Sequence, residues 1–198
     1  MREILDLRSM VIFEINKVRN RKNNFNKNYI KNIVEGSESD YNLIKDFVNA
    51  EDDEKVFDLY IMECDLKRVS LVLKYYYTNI GLYKNGLINA LEYGYDELCK
   101  PLIEYGIDLE SENDMGQTSL ILSITNNMFD IVQMLVKAGV NVNKPDIFKQ
   151  SPLMYSICEF RHDIMRLLLK NGADKYFQTE LGNTPLMIAV NVNNIEAV

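Results

Sequence analysis

Tryptophan is absent from the 198 residues, histidine occurs once, at His162, and cysteine occurs only at Cys64, Cys99 and Cys158. A catalytic triad or metal centre that needs imidazole therefore has a single candidate. An odd number of cysteines leaves at least one unpaired and speaks against a disulfide-stapled secreted domain. Zinc would require the cysteines and His162 to converge from distant segments. No Gly-x-Ser-x-Gly elbow, phosphate-cradling glycine loop or His-Glu-x-x-His helix occurs, so the usual arrangements for nucleophilic, phosphoryl-transfer and zinc chemistry are missing. The sequence thus assigns no catalytic residue, no metal site and no cofactor, and the chain reads as a non-enzyme. No apolar run is long enough to span a bilayer, and charges at Arg2, Glu3, Asp6 and Arg8 do not suit a secretion signal. A reducing cytoplasm is the expected compartment, either that of the producing cell or a host cytoplasm into which the protein is delivered. Positive charge is also in deficit: 22 Lys and Arg stand against 29 Asp and Glu, a net charge of -7. That balance repels nucleic-acid phosphate in general and makes a basic protein an easier partner.

What is present is a period. Gly106, Gly139 and Gly172 stand 33 residues apart, as do Thr118, Ser151 and Thr184. Each Thr or Ser can accept a hydrogen bond from a free N–H of a first helical turn, and the proline at Pro152 and Pro185 suits the position that follows. Each glycine can take the left-handed conformation that ends a helix. The same punctuation in register predicts repeated helix pairs. With 47% hydrophobic residues, such pairs can share a core by stacking, although none holds enough apolar surface to fold alone.

Two stretches precede the regular part. Over 1–50, Ile4, Leu7, Val11, Ile15 and Val18 recur at helical spacing, and Lys17, Arg19, Arg21, Lys22, Lys27 and Lys31 follow without an intervening acid. This predicts a helical N-terminal cap with a basic loop. The 17–31 segment offers a nucleic-acid contact as the alternative function, but basic runs are more often solvated, and little aromatic interleaving supports base stacking. A short helix around Ile44, Phe47 and Val48 comes next. Helices expected over 54–63 and 65–77 form a degenerate unit offset from the following one by nearer 30 than 33 residues.

From Asn113 to Asn143 the unit contains Gly116, Thr118, Leu120, Ile131, Val132, Leu135 and Gly139-Val140-Asn141. The next contains Ser151-Pro152-Leu153, Ile164, Leu167, Leu168 and Gly172-Ala173-Asp174, followed by Gly182, Thr184-Pro185-Leu186 and Ala189. This pattern resembles the ankyrin repeat in length and in its Thr-Pro-Leu-His-x-Ala signature. The resemblance is strong over 77–198, weak over 51–76 and absent from 1–50. It implies an all-α solenoid of stacked helix pairs with hairpin-like fingers, an array over 51–198 behind the N-terminal cap. It departs where Ile121, Met154 and Met187 replace the signature histidine. The bonds that histidine supplies between repeats should be absent, leaving apolar packing to compensate. Pro101 should kink or shorten its helix. Val198 falls inside the second helix of the last repeat, so the chain is expected to be cut short there or to have its apolar edge covered by another element.

The family implies a protein partner bound on the concave side. Leu82, Met115, Phe148 and Leu181 lie 33 apart, each just before a finger tip. They form an apolar row suited to contact. The first-helix positions Glu92 and Tyr93, Thr125 and Asn126, Cys158 and Glu159, and Asn191 and Val192 face the same concavity by resemblance. Tyr93 and Phe148 are the preferred anchors, with Glu92, Glu159 and Glu180 adding complementarity to a basic partner. A structural or oligomerisation module is a further alternative, and the sequence leaves the oligomeric state open.

Overall fold

Thr118, Ser151 and Thr184 each sit in extended backbone, and each hydroxyl accepts a hydrogen bond from the N–H three residues on, at 3.3 Å in every case. The helices they open are Ser119–Thr125, Pro152–Cys158 and Pro185–Asn191. The computed structural model describes residues 42–46, 53–76 and 85–198. Of the expected cap over 1–50, residues 1–41 and 47–50 lie outside the described residues, as do the basic 17–31 segment and Leu82, although 42–46 is helical and places Ile44 in the core.

Among the described residues, after the helical 42–46 stretch, the helices in chain order are α1 (Asp53–Met62), α2 (Leu66–Tyr76), α3 (Gly86–Glu92), α4 (Asp96–Glu104), α5 (Ser119–Thr125), α6 (Phe129–Lys137), α7 (Pro152–Cys158), α8 (His162–Lys170) and α9 (Pro185–Asn191), with a 3-10 turn at Ile195–Ala197. The first helices α1, α3, α5, α7 and α9 pack each on the next, and so do the second helices α2, α4, α6 and α8. Each pair also packs internally. The result is two helical layers with one continuous apolar core between them. Second helices bury an i, i+1, i+4 stripe: Leu98, Cys99 and Leu102 in α4, Ile131, Val132 and Leu135 in α6, Ile164, Met165 and Leu168 in α8. First helices are buried more completely, since neighbours flank them on both sides; Ser119 through Ile124 are all buried in α5.

Left-handed residues mark the boundaries. Gly106, Gly139 and Gly172 have φ of +77°, +85° and +88° after the second helices. Between the helices of each pair, Gly94, Asn127, Phe160 and Asn193 repeat the conformation every 33 residues, whereas Cys64 precedes Gly94 by 30. The shorter first step is thus a real displacement of the helix turn. Pro101 does not shorten its helix, because α4, α6 and α8 all have nine residues. Its carbonyl still accepts from Tyr105 N–H at 2.9 Å, so only the bond its own nitrogen lacks is lost.

Apolar packing is not the whole substitute for the missing histidines. Ile121 and Met154 are buried, and the Met154 thioether accepts from Ser151 N–H at 3.5 Å. Polar side chains elsewhere also bridge the repeats. Asn126 Nδ2 donates to Leu91 O and Asn194 Nδ2 donates to Ile157 O. Glu110 Oε1 and Asn143 Oδ1, one repeat apart, accept from the N–H groups of Asn141 and Asp174.

Candidate functional site

Among the described residues three loops project between the helix pairs, over 113–117, 146–150 and 179–183, and all close the same way. The first residue accepts from the fourth and donates to the fifth: Gly116 N–H to Asn113 O, Lys149 N–H to Asp146 O and Gly182 N–H to Thr179 O, with Asn113, Asp146 and Thr179 N–H donating to Gln117, Gln150 and Asn183 O. The side chain of that first residue binds inside its own loop as well. Asn113 Oδ1 takes the N–H of Met115 and Gln117 at 3.0 and 2.9 Å, and Asp146 Oδ1 takes those of Phe148 and Gln150 at 2.9 and 2.8 Å. Thr179 Oγ1 takes that of Asn183 at 3.2 Å. The fingers are therefore fixed from within, and Ile147 N–H donating to Met115 O joins the first to the second.

Each finger holds its row residue out to solvent. Met115, Phe148 and Leu181 are 45%, 52% and 87% exposed, and Ile147 beside Phe148 is 53% exposed. At the tip the chain needs a left-handed residue, supplied by Gly116, Lys149 and Gly182. Gly116 has a second reason: a Cβ there would stand 2.9 Å from the backbone nitrogen of Ile147, while one on Gly182 would meet nothing within 4 Å.

Behind the middle finger, Asp146 is buried, and its Oδ2 accepts from the Tyr155 hydroxyl at 2.8 Å. Gln117 Nε2 donates to the same hydroxyl at 3.0 Å. Burial pushes Tyr155 up to about 12, aided by Asp146 and opposed by the Gln117 bond. This triplet ties two fingers to α7. The sequence reading missed it, although Asp146 shares the register position of Asn113 and Thr179, and that repetition of short polar acceptors was its signal.

The first-helix candidates divide. Glu92 and Tyr93 are exposed at the end of α3. Glu92 accepts from Asn113 Nδ2 at 2.9 Å, and Tyr93 stacks on Tyr95 with centroids 5.8 Å apart. A groove of about 290 Å³ runs between this end of α3 and the first finger, lined by Ile88, Asn89, Glu92, Asn113 and Met115 among others. The first finger, with Met115 of the row, and the α3 end thus border one groove. Glu159 and Asn191 are exposed at the corresponding ends of α7 and α9. Thr125 is half-buried with its hydroxyl on Leu122 O, Asn126 spends its amide on Leu91 O, and Val192 packs on the core. Cys158 is half-buried, and burial followed by the charge of Glu159 raises its thiol.

Lys144 and His162 bond within the protein. Lys144 bridges Glu112 and Glu110, and its ammonium is raised first by the bond to Glu112. His162 contacts Asn194 Oδ1 and Glu196 Oε2 at 2.9 Å each, joining α8 to the following repeat. Among the described residues no group of three His, Cys, Asp or Glu side chains is placed to hold a metal ion, and no helix is long and apolar enough to cross a membrane.

A family model described as ankyrin repeats, in three copies, matches residues 48–146 and again 143–198. No curated protein matches the chain.

Proposed function

Because this chain belongs to the ankyrin-repeat family, whose repeats generally serve as protein–protein interaction modules, we propose that it is a non-enzymatic scaffold that sequesters or blocks a protein partner on its fingers and first-helix ends. The observation that carries this reading is the row Met115, Phe148 and Leu181, three large apolar side chains held in water at one register position on hydrogen-bonded loops. Exposing them costs hydration free energy in the free protein, which a partner recovers on binding. The rigid finger loops reduce the ordering entropy that association would otherwise cost. Tyr93 and Phe148 are the aromatic anchors, with Glu92 beside the groove and Glu159 further along the stack. Unpaired cysteines suit a reducing compartment such as cytoplasm.

The test is affinity capture from the native cell with the wild type and with a Met115→Asp/Phe148→Asp double variant of unchanged circular dichroism. Proteins retained by the wild type should bind the variant at least tenfold more weakly, a loss of about 1.4 kcal/mol or more. Equal retention by the folded variant would move the site elsewhere.

A further inference from the structure

The finger row is apolar throughout, but its borders carry charge in an order. The residues just before Met115, Phe148 and Leu181 are Asp114, Ile147 and Glu180, and those just after are Gly116, Lys149 and Gly182. The tips of the first and third fingers therefore each add one negative charge, and the middle tip adds one positive charge. All three charged side chains are exposed, and among the described residues none has a hydrogen-bond or ion-pair partner. Nearby charges behave differently: Glu110 and Glu112 are paired with Lys144, and the Asp146 carboxylate is consumed by two N–H groups and the Tyr155 hydroxyl. At the tips of the described fingers, unpaired charge is thus negative at the first and third and positive at the middle one.

Helices pack about 8–10 Å apart, so outer tips two repeats apart are separated by on the order of 20 Å. That is the length of about six residues of extended chain. Resting on the reading of the fingers as a partner-binding surface, we propose that the occupant is a peptide segment of a protein partner with an apolar centre flanked on both sides by Lys or Arg. Its apolar side chains cover Met115, Ile147, Phe148 and Leu181, and its basic flanks meet Asp114 and Glu180. Lys149 excludes a third basic residue from the centre, which gives the surface a way to reject uniformly basic segments as well as acidic ones.

The experiment selects binders from a random twelve-residue peptide library displayed on phage against the intact protein. The wild type should enrich apolar stretches of about six residues between basic residues, with none at the centre. Asp114→Lys/Glu180→Lys should turn the selected flanks acidic and weaken a wild-type-selected synthetic peptide about tenfold. Lys149→Glu should admit basic residues at the centre. Neutral or acidic flanks from the wild type, unchanged flanks from the charge-reversed variant, or no binder at all would overturn the proposal. A Met115→Asp/Phe148→Asp variant separates the two levels. If it loses the selected peptides while charge reversal changes nothing, the surface stands and the charge pattern falls. If it keeps them, the surface itself is wrong.

Discussion

Asp146 shows how one side chain serves both fold and surface. Its carboxylate is buried, yet every oxygen is used: Oδ1 by the N–H groups that shape the middle finger and Oδ2 by Tyr155. A buried carboxylate without such partners would be strongly destabilising. Tyr155→Phe removes one donor from Asp146 and the acceptor of Gln117, and a loss of about 1–2 kcal/mol in chemical denaturation at neutral pH is expected. The alkaline behaviour follows from the raised hydroxyl. With a folded-state value pushed up to about 12 and an ordinary value of about 10, the native protein favours neutral Tyr155. Its contribution is fully present below about pH 10 and is lost as pH rises through the folded value. The stability gap between wild type and Tyr155→Phe should therefore narrow above pH 10; a gap constant up to pH 12 would contradict the assignment.

At the scale of elements, the fingers are built alike but are not equally tolerant. Gly116 and Gly182 have φ of +69° and +77°, so a side chain at either costs on the order of 1 kcal/mol. Only at Gly116 would the new Cβ press on the next finger, 2.9 Å from Ile147 N. Gly116→Ala should lower the thermal midpoint clearly more than Gly182→Ala, and equal shifts would mean that the first two fingers are not in contact. This contrast was beyond the sequence, because both glycines occupy one register position there. The helices themselves were legible, since Thr118, Ser151, Thr184 and the three helix-ending glycines are local signals whose physics needs no distant partner. Cross-repeat bonds were not, because Asn126 reaches Leu91 and Asn194 reaches Ile157 only once the stack has formed. The shortening expected from Pro101 is not seen for a similar reason: packing of Leu98, Cys99, Leu102 and Ile103 in the core holds α4 to full length despite one absent bond.

Over the whole molecule, stability and function occupy different faces of the same repetition. Leu120 and Leu153 are 1% and 2% exposed because a following first helix covers each, while Leu186, at the same position of α9, is 52% exposed. Stacking consumes those positions wherever a neighbour follows, whereas it leaves the finger row uncovered in every described repeat. The sequence located that row because spacing alone places it. It could not show that Asn126, though exposed, spends its Nδ2 on Leu91 O, or that Val192, equally regular in spacing, packs on the core. The account rests on the fingers being the face that meets another protein. Hydrogen–deuterium exchange of the chain, alone and saturated with a partner recovered by the capture experiment, tests this most directly. Binding should slow exchange in 113–117, 146–150 and 179–183 and leave α6 and α8 unchanged; protection confined to α6 and α8, with the three fingers unaffected, would contradict it.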